Sequence, residues 1–145
     1  MRITGTYSFQ ANKQAVWDTL QSPDMLSACL PGCEGFKADG LGQYRVDMQV
    51  AIGPIGGNYT AKIFITDQNA PDSYRMTVSG SGSGGTFNGD GSVSLSDDND
   101  GTAVAVDGEV QVTGVAARVG QRLLGSAAKT MLERFFSCMN DNLTK

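Results

Sequence analysis

The chain contains no histidine, which removes the commonest general base near neutral pH and the commonest nitrogen ligand for a metal. Cationic side chains are few: 11 Lys and Arg stand against 15 Asp and Glu, a formal net charge of -4. The basic stripe that holds a phosphate backbone is therefore missing, and nucleic acid is not expected as a partner. No run of roughly 18 apolar residues occurs, and Met1-Arg2-Ile3-Thr4-Gly5-Thr6 lacks the apolar core of a signal peptide, so a soluble protein is expected. Cysteine is limited to Cys29, Cys33 and Cys138, an odd number without zinc-ribbon or redox CxxC spacing. That pattern predicts a reducing, cytosolic compartment and no metal centre, with Cys29 and Cys33 as small apolar fillers; a Cys29–Cys33 disulfide is the alternative.

What the chain does contain is a long apolar-faced segment at its C-terminal end. Between Gly114 and Leu143 no proline occurs, and Ala116, Val119, Leu123, Leu124, Ala127, Ala128, Met131, Leu132, Phe135, Met139 and Leu143 share one broad arc at helical spacing. Arg118, Arg122, Lys129 and Glu133 collect on the narrow remainder. One helix of roughly 40 Å is predicted. It has more apolar surface than it can hide alone, so it needs a large sheet to lie on.

The preceding residues supply that sheet. Ile3, Gly5, Tyr7 and Phe9 alternate with polar neighbours, the period of a half-buried strand. Asn12 is placed to cap a short helix through Leu20, and Ser22 a second one that begins at Pro23; both end before Leu30-Pro31-Gly32-Cys33. From Glu34 onward strand follows strand: Tyr44, Val46, Met48, Val50 and Ile52; then, after the turn Gly53-Pro54-Ile55-Gly56-Gly57, Tyr59, Ala61, Ile63 and Ile65. The turn Asn69-Ala70-Pro71-Asp72 leads to Tyr74, Met76 and Val78. The glycine-rich Gly80 to Gly85 reads as a flexible loop. Phe87, Gly89, Gly91, Val93 and Leu95 precede a solvated hairpin at Asp97-Asp98-Asn99-Asp100-Gly101, and Val104, Val106, Gly108, Val110 and Val112 close the series. Strict alternation leaves one sheet face wet. The expected architecture is α+β, one domain over residues 1–145: a curved antiparallel sheet of about seven strands around the C-terminal helix, with two short helices after the first strand.

Candidate chemistry is sparse. Asp47, Asp107 and Glu109 fall on the wet phase of their strands, and most other acids sit in turns, so an acid–base centre is not expected; Glu34 and Glu133 are unplaced by this argument. All four tyrosines, Tyr7, Tyr44, Tyr59 and Tyr74, occupy apolar phases. Their hydroxyls must reach either the rim or a ligand. Small residues concentrate at the seam between helix and sheet: Ala116, Gly120, Ala127 and Ala128 on one side, Gly5, Gly89, Gly91 and Gly108 on the other. Because interiors are normally close-packed, this means close approach, sheet bending or a dry void suited to an apolar ligand. The glycine cluster lacks a Walker lysine and opens no helix, so it is not a phosphate cradle.

The order of elements resembles the START-like (SRPBCC) superfamily with its helix-grip fold. More narrowly, Gly5-Thr6-Tyr7-Ser8-Phe9 before Val16-Trp17-Asp18-Thr19-Leu20, then Leu30-Pro31-Gly32-Cys33-Glu34, Ile52-Gly53-Pro54-Ile55-Gly56-Gly57 and Phe135-Phe136 resemble the CoxG family of carbon monoxide dehydrogenase subunits. The resemblance covers nearly the whole chain. It implies a non-catalytic accessory protein of a molybdenum hydroxylase of the carbon monoxide dehydrogenase type, holding a respiratory quinone, isoprenoid or other lipid between sheet and helix. It also implies a cytoplasmic location at the inner face of the membrane. Many relatives continue into a tail that meets membrane or partner, whereas this sequence stops at Lys145, which puts that mode of attachment in doubt.

The expected ligand-binding residues are Leu26, Leu30, Tyr44, Val46, Met48, Tyr59, Ile63, Tyr74, Met76, Phe87, Ala116, Val119, Gly120 and Leu123, with apolar side chains supplying affinity and tyrosine hydroxyls orienting a carbonyl head group. No catalytic residue, metal or covalent cofactor is expected. Two other readings are a ligand-free docking protein for the hydroxylase and a cyclase- or hydrolase-like enzyme.

Overall fold

Seven strands form one antiparallel sheet: β1 (Arg2–Phe9), β2 (Cys33–Gly40), β3 (Gln43–Val50), β4 (Gly57–Asn69), β5 (Ser73–Gly82), β6 (Gly85–Asp98) and β7 (Gly101–Thr113), in the spatial order β1-β7-β6-β5-β4-β3-β2. The computed structural model describes residues 1–51 and 56–143; Ile52, the Gly53-Pro54-Ile55 part of the expected turn, and Lys145 lie outside the described residues. Each strand keeps its predicted phase. In β1 the odd residues Ile3, Gly5, Tyr7 and Phe9 turn inward while Arg2, Thr4, Thr6 and Ser8 are exposed.

The short helices begin where their caps require. Asn12 accepts from the Ala15 amide at 2.8 Å to start α1 (Lys13–Gln21), and Ser22 accepts from Met25 to start α2 (Pro23–Cys29), with Pro23 in the first turn. Satisfying the orphan amides this way contributes about 1 kcal/mol per cap. α1 packs on β6 and β7, α2 on β2, and both meet α3 (Gln121–Leu143).

The C-terminal segment is not one helix from Gly114. Gly114 and Gly120 both adopt left-handed backbone angles, φ 88° and 91°, and bracket a 3-10 turn at Val115–Val119; only glycine takes such angles without strain. α3 therefore runs from Gln121 for 23 residues, about 35 Å. The break also shifts the phase of its start. Leu123, expected inward, is 55% exposed, while Phe136, outside the expected arc, is buried. Gly120 is exposed with open space around its Cα, so it does not face the sheet.

Two further expectations are corrected. Gly80 to Gly85 is not a loose loop: β5 continues to Gly82, β6 starts at Gly85, and Ser83-Gly84 make the turn between them. The strands persist because aromatic rings lie across the glycines. A Cβ on Gly80 would strike the Phe87 ring, and one on Gly82 the Tyr59 ring, each ring belonging to the cross-strand partner. Nor are Cys29 and Cys138 separate thiols. They form a disulfide between α2 and α3, spanning 109 residues of sequence, and Cys33 is the free cysteine. The alternation pattern carries no information about this contact.

The core occupies one end of the sheet. Phe9, Val16, Trp17, Leu20, Ile65, Tyr74, Val93, Leu95, Val104, Phe136 and Met139 pack together there beneath α1, α2 and the C-terminal half of α3. Phe136 is the hinge pin of this cluster, stacked on Tyr7 at 4.4 Å and edge-on to Phe9 and Phe135.

Thiol labelling of protein denatured without reductant should modify Cys33 alone; three reactive thiols would refute the Cys29–Cys138 pairing. Converting both paired cysteines to serine should lower unfolding stability by about 2–4 kcal/mol, measured by guanidinium titration.

Candidate functional site

The inward face of the sheet is unevenly covered. Cross-strand register sets Val110, Gly89, Val78, Ile63 and Tyr44 side by side on β7, β6, β5, β4 and β3, and every one of the five is part-exposed although it points toward the helix layer. The adjacent row nearer the core, Gly108, Gly91 and Met76, is also part-exposed. Beyond it Val93 and Tyr74 are buried, and on the opposite flank so are Ala61 and Val46. Inward apolar side chains that still reach solvent define a trench. At about 4.8 Å per strand spacing, five strands give it a length of roughly 19 Å.

The opposing wall is the first half of α3, where Leu124, Ala128, Met131 and Leu132 are likewise part-exposed. Ala128 and Gly125 keep that wall thin, whereas Phe135 and Phe136 fill the core end. The trench runs out into a cleft of about 280 Å³ lined by Met1, Val110, Gln111, Val112, Ala117, Gln121 and Leu124. This cleft lies where β7 outruns β1: Met1 is the last residue to bond β7, through Val110. Its volume is just below the roughly 300–1,000 Å³ of small-molecule sites, enough for a head group.

The expected ligand-binding residues distribute as follows. Tyr44, Ile63 and Met76 lie in the trench; Met48 and Phe87 flank it and are part-exposed. Val46, Tyr59 and Tyr74 are buried. Leu26 and Leu30 are part-exposed on and just after α2, Leu26 against the core. Ala116 is buried where its amide donates to the Gly84 carbonyl at 2.8 Å, and Val119 is part-exposed in the same 3-10 turn. Gly120 and Leu123 are exposed. None of the fourteen lines the 280 Å³ cleft. Val78, Gly89 and Val110 are outside the expected set, although the alternation puts each on the inward phase; only the register shows that they are neighbours.

Polar groups in and around the trench are tyrosine hydroxyls. Tyr74 meets Trp17 edge-on at 5.5 Å, Tyr44 lies beside Phe36 at 5.1 Å, and Tyr59 beside Phe87 at 6.0 Å. Burial pushes the Tyr74 hydroxyl far above the ordinary tyrosine value. It raises Tyr7 as well, with the nearby Glu133 charge adding to the effect. Both therefore stay protonated, as donors, across the physiological range. The carboxylates lie elsewhere: on the outer face Asp47 accepts from Thr60, Asp90 from Arg75 and Asp107 from Arg2, and Glu34 and Glu133 are exposed. Among the described residues no group of three His, Cys, Asp or Glu is gathered to hold a metal.

An antiparallel sheet gripping a long C-terminal helix across an apolar trench defines a START-like helix-grip protein. Solved structures agree: a conserved protein from Geobacillus kaustophilus superposes with a TM-score of 0.96 at 31% identity, covering 99% of this chain and 95% of that one. A START superfamily protein from Mycobacterium smegmatis gives 0.78 at 14% identity over 99% and 97% of the two chains. Protein Ms6760 of the same organism gives 0.73 at 18%, over 99% and 90%. Over residues 5–144 the sequence matches the CoxG family of carbon monoxide dehydrogenase subunits, and the chain belongs to that family. No curated protein matches it.

The buried Tyr74 hydroxyl has a consequence for alkaline stability. Above pH 10.0, the ordinary tyrosine value, the unfolded chain releases this proton while the folded one retains it. Fewer protons are then bound in the unfolded state, so stability is complete below pH 10.0 and falls as pH climbs further, by up to about 1.4 kcal/mol per pH unit. Tyr74→Phe should flatten that decline in urea titrations; an unchanged slope would refute the assignment.

Proposed function

We propose that this protein is a non-catalytic carrier that holds a lipophilic molecule, a respiratory quinone or a related isoprenoid lipid, in the trench between the sheet and α3. The observation that carries the reading is the row Val110, Gly89, Val78, Ile63 and Tyr44, inward on five successive strands yet uncovered. A globular core of this size ordinarily closes over such a row. A ligand that buries about 200 Å² of apolar surface there gains about 5 kcal/mol at ~25 cal/mol per Å², before ordering costs. The Tyr44 hydroxyl, in the trench, suits a carbonyl-bearing head group, since it can donate one hydrogen bond worth about 1 kcal/mol.

Family membership supports the partner: an accessory role beside a molybdenum hydroxylase of the carbon monoxide dehydrogenase type, at the inner face of the cytoplasmic membrane. No described helix is long and apolar enough to cross a membrane, so the link would be peripheral. The reading as a ligand-free docking protein draws on one observation, that the spaces over Gly5, Gly80 and Gly82 are occupied by the rings of Tyr7, Phe87 and Tyr59. It leaves the uncovered row unexplained. An enzymatic reading would need a catalytic group facing the trench, and the acids instead pair with partners on the outer face.

Organic extraction of the purified protein followed by mass spectrometry should release a lipophile, and added ubiquinone or menaquinone should bind with measurable fluorescence quenching of Trp17. Val78→Trp should fill the middle of the trench and weaken quinone binding at least tenfold while thermal unfolding stays cooperative. Tyr44→Phe should weaken it about fivefold. A protein that yields no lipophile and binds neither quinone overturns the reading.

A further inference from the structure

The large apolar side chains described as exposed are Leu41, Val115 and Leu123, and two of the three sit within nine residues of each other beside the cleft. Val115 is 59% and Leu123 55% exposed. They belong to the 3-10 turn and the first turn of α3, which pack on each other, and Ala117, Gln121 and Leu124 of the same stretch line the cleft. Unlike the isolated Leu41, Val115 and Leu123 are exposed together on packed elements beside the cleft, and exposed apolar side chains that cluster mark a surface that meets something apolar.

Charge selects what that is. The chain carries -4 overall, yet residues 110–132 hold Arg118, Arg122 and Lys129 and no acid. All three cations are exposed, and among the described residues none of them is in an ion pair. The acids that bound this stretch along the chain are Glu109, which faces the Met1 amino group at 3.5 Å, and the exposed Glu133, one turn of α3 beyond Lys129. The opposite end of the sheet carries Asp97, Asp98 and Asp100 in the β6–β7 turn, all exposed, and Asp72 of the β4–β5 turn, which is paired with Lys13 at 2.7 Å. Residues 115–129 thus set three exposed cations and two outward apolar side chains on the cleft side of the molecule, while the aspartates of the β6–β7 turn lie at the opposite end of the sheet. Apolar residues flanked by arginine, on a protein otherwise negative, match an anionic lipid surface.

We propose that residues 115–124 dock on an anionic bilayer, setting Val115 and Leu123 into the acyl boundary and Arg118 and Arg122 among lipid phosphates. The aspartate-bearing turns then point away from the membrane, and the cleft beside Met1 and Leu124 opens at the lipid surface. The proposal rests on the carrier reading and extends it: the ligand enters sideways from the bilayer without crossing water.

Cosedimentation of the full chain with phosphatidylglycerol-containing vesicles and with pure phosphatidylcholine vesicles tests it, with quinone binding in detergent-free solution measured on the same preparations. The wild type should prefer the anionic vesicles, and added salt should weaken binding. R118Q/R122Q should bind them roughly thirtyfold more weakly, and V115S/L123S at least tenfold. Leu41→Ser, a still more exposed leucine at the opposite end of the sheet, should leave binding unchanged. If the wild type ignores anionic vesicles, or both double variants bind like the wild type, the docking surface is wrong; quinone binding that persists in that case leaves the carrier reading standing. If the double variants keep vesicle binding and lose capture of the purified hydroxylase, the surface belongs to a protein partner and the proposal falls.

Discussion

The constraint on which the structure depends is the fixing of α3 at one end only. At its C-terminal end Cys138 is bonded to Cys29, Phe136 is stacked between Tyr7, Phe9 and Phe135, and Met139 is fully buried. At its N-terminal end the chain enters through two left-handed glycines with the buried Ala116 between them, and the first residues of α3, Gln121 to Gly125, are exposed or half-covered. A helix fixed at both ends would be drawn down onto the sheet along its whole length. Fixed at one, it closes the core end, where burial of large side chains is worth about 1.5–3 kcal/mol each, and over residues 121–135 only Ala127 is buried. Cys29 is only 4% exposed, which limits access of an attacking thiol to the bond.

Withheld bulk on the sheet has two different outcomes, and their difference shapes the trench. Over Gly5, Gly80 and Gly82 an aromatic ring from the same or the paired strand lies in the vacant space, so these glycines help packing and leave no room. Gly91 and Gly108 face each other across β6 and β7 with backbone on either side, and the Val110 side chain is the nearest neighbour of Gly89, at 3.3 Å. No ring covers that second set. The open strip follows it and continues across Val78 and Ile63, where the side chains are too short to span to a helix that carries Ala128 and Gly125 opposite.

The fold was legible because its signals are local. Alternation over β1, β3 and β7, the Asn12 and Ser22 caps, and the proline at position 23 each act within a few residues, and the strand phases followed from them. The sheet order itself was implied by short turns, which join sequential antiparallel strands. The disulfide was not legible, because 109 residues separate its partners and nothing in the spacing of three cysteines distinguishes one pairing from another. The helix start was misread for a related reason: glycine is permitted inside a helix, and only the tertiary position of the Ala116 amide on Gly84 shows that Gly114 and Gly120 are turns. Of the candidate site, the inward identity of Tyr44, Ile63 and Met76 was readable from phase. That Val78 and Val110 complete their row was not, since register across five strands is a sum of turn lengths and bulges, such as the irregular step between Thr66 and Asn69.

These features bear on why a protein of this shape need not perform chemistry to be useful. General acid–base catalysis requires a group whose charge changes near working pH, held near the reacting atom. Here histidine is absent, the outer-face carboxylates are tied to Thr60, Arg75 and Arg2, and the buried Tyr74 keeps its proton well beyond neutral pH. What remains facing the trench is apolar surface with the Tyr44 hydroxyl as a donor. Such a wall suits discrimination by shape and by one or two hydrogen bonds. On the docking proposed above, Arg118, Arg122 and Lys129 and the outward Val115 and Leu123 all stand on the cleft side, so the end that would meet anionic lipid is also the end at which the cleft opens.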